Sequence, residues 1–141
     1  MPSPEAPLAG SCACGAVRFH VIAEFTTAGY CHCHRCQHRT GTAWSTNGIV
    51  GASAVEILAG AGELRTWRPA TGLPKSFCGV CGGHVWSGDL GSDGVVGVRF
   101  GALDGDPGIA PRWRQWLSSA PDWAPIPDDG LPRYPETRES D

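Results

Sequence analysis

The sequence predicts a mainly β domain of short antiparallel strands with very little helix. The first observation is its content of glycine and proline, 20 and 12 residues in a chain of 141, because both residue types interrupt helices and favour turns. The second is a series of short segments, such as 16–22, in which apolar and polar residues alternate as in a half-buried strand. A chain of this length forms one ordinary domain.

The strand candidates follow one another with turn residues between them. Residues 95–100 are the clearest strand, and turn residues follow at Gly101 and at Asp104-Gly105. Residues 30–41 are dense in Cys, His and Arg and lack an apolar stripe, which predicts a metal-binding loop or one short helical turn. The complete set of predicted strands is 16–22, 44–50, 54–58, 63–68, 73–77, 84–87, 95–100 and an edge strand within 112–117.

The ends of the chain differ in composition from its centre. Residues 1–9 are rich in Pro and Ala, and we expect a flexible N-terminal arm there. The folded domain is predicted to span residues 10–125. The segment after it is rich in Pro and Asp, so we expect residues 126–141 to form an irregular C-terminal tail.

Charge and hydropathy exclude several functional classes. The formal net charge of −3 and the sequence pI near 5.9 argue against a generally basic nucleic-acid binder. No run of residues approaches the 18 or more apolar residues of a membrane span. The first residues, Met-Pro-Ser-Pro-Glu, lack the basic start and apolar stretch of a secretory signal. The sequence therefore predicts a cytoplasmic protein with no nucleic-acid or membrane partner.

All seven cysteines lie in three tight groups, at 12–14, 31–36 and 78–81. Disulfides require an oxidising compartment, and an odd count leaves one thiol unpaired. Redox chemistry at a CxxC motif requires a helix N-terminus to lower the thiol pKa, whereas glycines surround Cys78 and Cys81. Clustered cysteine pairs with glycine after the second cysteine are typical of metal sites, so metal binding is the favoured interpretation.

Seven thiols divide naturally into four and three. Cys31, Cys33 and Cys36 lie within six residues and can bind one ion locally, which leaves the other two pairs to meet across the fold. A site of four thiolates is closed and structural, whereas three thiolates leave one tetrahedral position open for a reactive zinc. In the alternative, His32 or His34 completes a second closed site with three cysteines and one histidine.

The cysteine motifs and their flanks resemble those of the glutathione-dependent formaldehyde-activating (GFA) family, which shares a domain with centromere protein V. The similarity runs in order through three segments and an ending typical of the family, over about residues 9–135. These segments are Gly10-Ser11-Cys12-Ala13-Cys14-Gly15, Cys31-His32-Cys33-His34-Arg35-Cys36-Gln37, Phe77-Cys78-Gly79-Val80-Cys81-Gly82 and Asp129-Gly130-Leu131-Pro132-Arg133-Tyr134-Pro135.

The resemblance implies a β-tent zinc-binding fold for residues 10–125 and two zinc ions per chain. It implies a structural zinc at Cys12, Cys14, Cys78 and Cys81 and a catalytic zinc at Cys31, Cys33 and Cys36. The implied activity is that of a carbon–sulfur lyase of the S-(hydroxymethyl)glutathione synthase type, which joins formaldehyde to a small thiol such as glutathione. The competing hypotheses are a zinc-stabilised β-tent binding module without catalysis, and sulfur redox or methionine-sulfoxide repair chemistry.

One position departs from the family pattern. The family often has histidine in a Pro-x-x-His pattern, where this sequence has Pro111-Arg112-Trp113-Arg114. Arg114 could instead bind a substrate carboxylate by a bidentate pair, and His34 beside the central cysteine is a second substrate-binding candidate. Three more arginines could neutralise substrate carboxylates: Arg35, Arg39 and Arg99. The Trp- and Pro-rich C-terminal segment is compatible with a homodimer.

Overall fold

The structure, a computed structural model, describes residues 1–138 of the chain. It is mainly β, as predicted, with ten strands and one α-helix among those residues. The elements in chain order are β1 (Leu8–Ser11), β2 (Arg18–Val21), β3 (Thr27–Cys31), α1 (His34–Thr40), β4 (Ser45–Gly51), β5 (Val55–Ala59), β6 (Leu64–Trp67), β7 (Lys75–Cys78), β8 (His84–Ser87), β9 (Val95–Arg99) and β10 (Arg114–Gln115). Short 3₁₀ turns connect several of them.

The strands form two sheets with the core between them. The smaller sheet has the order β1-β2-β5 and the larger one β10-β3-β4-β9-β8-β7-β6. Neighbouring strands are antiparallel except for β10, which runs parallel to β3. Phe19 of β2 meets Trp86 of β8 edge to face, with ring centroids 5.3 Å apart, and buried valines of both sheets surround the pair. Burial of this apolar surface is the main force that holds the sheets together.

Two strands lie where none was predicted. β1 pairs Leu8 with Val21, and Leu8 is buried, so ordered pairing begins inside the segment expected to be a flexible arm. β3 is buried along nearly its whole length and so lacks the alternation that marks a half-buried strand. Gly29 allows Trp113 to lie directly on β3, because a Cβ there would stand 2.2 Å from the indole ring.

The cysteine-rich segment forms a short helix, in agreement with one of the two predicted alternatives. Cys33 caps the N-terminus of α1, where its Sγ accepts a hydrogen bond from the Cys36 N–H. Gly41 ends the helix in the left-handed conformation, with φ of 71°, and its N–H donates to the Gln37 carbonyl. The helix thereby places two cysteines in one turn.

The C-terminal segment runs along the edge of the larger sheet. Beyond Ser119, the described residues contain no helix or strand, only a single bridge between Arg114 and Arg133. The Tyr134 N–H donates to the Arg114 carbonyl at 2.9 Å, and the Trp116 N–H donates to the Glu136 carbonyl at 2.9 Å. Residues 126–138 are thus irregular but attached to β10, and the remainder of the expected tail lies outside the described residues. None of the described helices is long and apolar enough to span a bilayer.

Candidate metal centres and adjoining cavities

The first candidate metal centre joins the two sheets. Cys12 directly follows β1, Cys78 ends β7, and Cys81 lies in the turn before β8. The sulfurs of these residues and Cys14 all lie within 4.8 Å of one another. Cys12 Sγ is 3.7 Å from Cys14 Sγ, which is 3.9 Å from Cys78 Sγ. A tetrahedral zinc site with Zn–S bonds of about 2.3 Å has sulfur–sulfur edges of about 3.8 Å, so the four thiols fit such an ion.

Backbone N–H groups point at these sulfurs. Val17 N–H donates to Cys12 Sγ at 3.3 Å, and Val80 N–H donates to Cys78 Sγ at 3.3 Å. Hydrogen bonds from the Cys14 and Gly83 backbone lower the pKa of Cys81 to about 6. Such donors stabilise the thiolate form, which is the form that binds metal. A side chain at Gly83 would stand 3.1 Å from the Ala13 nitrogen, so glycine lets the two loops approach.

The second candidate centre is the three-cysteine cluster, formed by Cys31, Cys33 and Cys36. Cys31 ends β3, Cys33 caps α1, and Cys36 lies in the first turn of α1. Their sulfurs lie within 4.8 Å of one another, with Cys33 Sγ 3.2 Å from Cys36 Sγ. Hydrogen bonding with the Cys31 and Cys36 thiols lowers the pKa of Cys33 to about 2, whereas hydrogen bonding with Cys33 and Cys36 raises the pKa of Cys31. The Ser45 hydroxyl donates to Cys36 Sγ at 3.2 Å.

Neither neighbouring histidine joins this cluster. Among the described residues, the group of ligand atoms within 4.8 Å comprises the three sulfurs alone. His32 is fully buried, and its ring centroid lies 5.3 Å from that of Trp44. Burial, reinforced by the charges of Arg114 and Arg133, lowers the pKa of His32 to about 4. His34 is exposed at the start of α1, so the arrangement favours three protein ligands and not four.

One cavity adjoins the three-cysteine cluster, and a second, lined by Cys12 of the four-cysteine cluster, meets the first at Ser45 and Arg99. The first, here called the thiol cavity, has a volume of about 150 Å³, and Cys31 and Cys36 lie in its wall beside Lys75. The second, here called the outer cleft, has a volume of about 710 Å³, within the range of roughly 300–1,000 Å³ typical of small-molecule sites. Ser45 and Arg99 line both cavities.

Arg99 is held in place between the two cavities. One guanidinium nitrogen donates to Ser87 Oγ at 2.7 Å, and another donates to Asn47 Oδ1. Its Nε is buried and has no hydrogen-bond partner among residues 1–138. The side chain is therefore ordered by two neighbouring strands, and one donor stays free.

Arg114 pairs within the chain. It is only 3% exposed, and two of its nitrogens donate to Asp129 Oδ2, at 2.7 and 3.2 Å. Its guanidinium lies 4.2 Å from the centre of the Tyr30 ring, and Nη1 lies 3.4 Å from His32 Nε2. Asp129 thus supplies a carboxylate to Arg114 from within the protein, and binding of a substrate carboxylate by Arg114 stays a prediction. Neither Arg114 nor His34 lines either cavity.

Comparisons with known proteins show the family of this chain. Residues 7–119 match the family described as glutathione-dependent formaldehyde-activating enzyme. The chain belongs to this family. A Halomonas elongata protein, whose name assigns it provisionally as a glutathione-dependent formaldehyde-activating enzyme, is 28% identical over 95% of this chain and 84% of its own length.

A solved structure shares the fold of this GFA-family chain. It is a crystal structure of a Rhodobacter sphaeroides protein, a structural genomics target, with a TM-score of 0.57 and 23% sequence identity. The match covers 89% of this chain and 98% of that one. At this identity the comparison concerns the fold alone.

Sequence reasoning missed the polar side chains that line the thiol cavity: Ser45, Asn47, Lys75 and Ser87. Ser45 and Asn47 stand two residues apart on β4, and Lys75 begins β7. Residues i and i+2 of a strand share a face, so the sequence indicated that β4 has a polar face. It could not show that this face meets the cysteines, because the contact depends on the pairing of distant strands.

Proposed function

We propose that this GFA-family chain is a zinc-dependent carbon–sulfur lyase that joins a small thiol, such as glutathione, to formaldehyde or a similar small aldehyde. The observation that carries the proposal is the contrast between the two cysteine clusters. Four sulfurs form one cluster, whereas three form the other, and two of those three line a cavity. A zinc ion with four protein ligands has a structural role, whereas a zinc ion with three leaves one coordination position for a reactant.

The residues present fit two metal ions. Cys12, Cys14, Cys78 and Cys81 would bind a structural zinc, and Cys31, Cys33 and Cys36 would bind a catalytic zinc. Soft thiolate ligands in near-tetrahedral arrangement favour zinc over harder cations. When bound by three thiolates, zinc supplies an open coordination position in which a substrate thiol is kept deprotonated near neutral pH.

The side chains around the thiol cavity support the addition itself. In that reaction the thiol sulfur forms a bond to the carbonyl carbon, and the carbonyl oxygen takes up the proton that the thiol gave up. Lys75 and Arg99 line the cavity, and their positive charge favours the negative charge that develops on the oxygen. The cavity of about 150 Å³ holds two small reacting groups side by side, which favours reaction through proximity.

Calorimetric titration of the zinc-loaded protein tests the proposal. Glutathione is expected to bind, and S-methylglutathione, which lacks a free thiol, is expected to bind at least tenfold more weakly. Cys33→Ser removes one ligand of the three-cysteine cluster, so it should lower the zinc content by about one ion and abolish the difference between the two compounds. Equal binding of both compounds by the wild-type protein would instead favour a binding module without thiol activation.

The proposed reaction requires a reduced thiol and unoxidised cysteines. Both conditions are met in the cytoplasm, where thiols are kept reduced, so we place the protein there. All seven cysteines are free thiols in the structure.

A further inference from the structure

Positive charge collects around the three-cysteine cluster. Lys75 and Arg99 line the thiol cavity, and Arg39 and Arg99 line the outer cleft. Burial, together with the positive charge of Arg99, lowers the pKa of Arg39 to about 10 and also lowers the pKa of Lys75. Arg99 lines both cavities and so connects the cation of the outer cleft, Arg39, with that of the thiol cavity, Lys75.

These cations lack acidic partners among residues 1–138. The ion pairs found there join Arg68 to Asp89 and Arg114 to Asp129. Neither the Arg39 guanidinium nor the Lys75 ammonium group has a hydrogen-bond acceptor in that part of the chain. One acidic side chain, Asp104, lines the outer cleft.

The cysteine cluster offsets only part of this charge. A divalent zinc ion with three thiolates carries a single net negative charge. Lys75 and Arg99 line the cavity that holds Cys31 and Cys36, and Arg39 lies one helical turn after Cys36 on α1. Half-buried cations without counter-ions are unfavourable, and they gain most from a ligand that brings a carboxylate. The unpartnered Nε of Arg99 offers one more donor to such a group.

We propose that Arg39, Lys75 and Arg99 form an anion-binding subsite beside the three-cysteine cluster, and that this subsite selects thiols bearing a carboxylate over neutral and cationic thiols. This inference rests on the proposed function, because it concerns how the protein binds the rest of the thiol substrate whose sulfur occupies the thiol cavity. Arg35, in contrast, is already engaged, since its Nη1 donates to the Thr71 carbonyl at 2.8 Å.

Three thiols of similar size test the inference. Zinc-loaded protein is titrated calorimetrically with 3-mercaptopropionate, 2-mercaptoethanol and cysteamine, which are anionic, neutral and cationic. The anionic thiol should bind tightest and the cationic one weakest. Arg39→Gln and Lys75→Gln should each weaken binding of 3-mercaptopropionate about tenfold, as expected for loss of one charge-assisted contact. Binding of 2-mercaptoethanol should change less than about twofold.

Arg112→Gln is the matched control, because Arg112 is exposed and lines neither cavity. It should leave the affinity for all three thiols unchanged, and the zinc content of every variant should equal that of the wild type. Equal affinity of the wild type for the three thiols would overturn the inference. An equal loss of affinity for all three thiols in Arg39→Gln and Lys75→Gln would also overturn it. The cations would then only offset the negative charge of the cysteine thiolates.

A thiol-blocked probe separates this inference from the proposed function. 3-(Methylthio)propionate keeps the carboxylate but has no free thiol. If it binds as tightly as 3-mercaptopropionate and depends on Arg39, the anion subsite stands and thiol activation fails. If free thiols bind with no preference for charge, thiol activation stands and the anion subsite fails.

Discussion

Arg114 shows how a single buried charge can be retained in this fold. Its guanidinium has an acidic partner in Asp129 and stacks on Tyr30, so the cost of burying the charge is offset by a carboxylate and an aromatic face. The pair also attaches the C-terminal segment to β10. Arg114 thereby links β10 to the C-terminal segment through Asp129.

The ion pair makes an acid-dependent contribution to stability. Hydrogen bonding to Arg114 holds the pKa of the Asp129 carboxyl below its usual range. A lowered native pKa means that this stabilisation is fully present above the unfolded pKa of about 3.9 and is lost as pH falls through the native pKa. Asp129→Asn should thus be less stable than the wild type at neutral pH. This difference in stability should become smaller as the pH falls.

Thermal unfolding of both proteins between neutral pH and about pH 3 measures that gap. Zinc sites also weaken in acid, but both proteins share them, so the difference between the two isolates the carboxylate. A gap that stays constant down to the lowest pH would contradict the assigned role of the pair.

At the scale of elements, β1 contributes more to the folded core than its sequence indicates. It lies in a segment rich in Pro and Ala, yet it pairs along β2 and leads directly into Cys12. Leu8 is 8% exposed and belongs to the core between the sheets. The strand therefore positions a metal ligand and closes one edge of the core.

Leu8→Ala should lower the free energy of unfolding by roughly 2–5 kcal/mol, because it removes a buried side chain and leaves a cavity. Denaturant unfolding of the zinc-loaded protein measures the change. Leu58→Ala is the matched control: Leu58 is 55% exposed, and its truncation should cost less than about 0.5 kcal/mol. Equal effects of the two substitutions would show that β1 is not part of the folded core.

At the scale of the whole molecule, the four-cysteine cluster connects the two sheets. The three-cysteine cluster, in contrast, is local, because it is formed by the end of β3 and the start of α1. Cys12 follows a strand of the smaller sheet, and Cys78 ends a strand of the larger one. A metal ion bound there would hold together elements that are distant in sequence. Metal binding of this type can contribute on the order of 10 kcal/mol to folding.

Cys78→Ser and Cys33→Ser should therefore differ sharply. Cys78→Ser should unfold the domain or lower its melting temperature by tens of degrees, since the expected loss approaches the whole stability of a domain of about 5–15 kcal/mol. Cys33→Ser should retain a cooperative unfolding transition and about one zinc ion per chain. Circular dichroism melting and metal analysis measure both, and similar melting of the two variants would contradict the division of roles.

The fold class, most of the strands and the two cysteine clusters could be predicted from the sequence. Those features depend on local information: turn residues, alternation along a strand and thiols spaced closely enough to converge. The family motifs allowed the distant cysteine pairs to be assigned to one site.

Tertiary structure alone decided β1, β3 and the surroundings of the cysteines. β3 is buried on both faces, so it carries no alternation to detect. Lys75 and Arg99 stand on different strands, β7 and β9, which β8 separates in the sheet. Likewise, only the fold brings Asp129 to Arg114. Such contacts depend on how distant segments pair, and no local pattern of residues specifies that pairing.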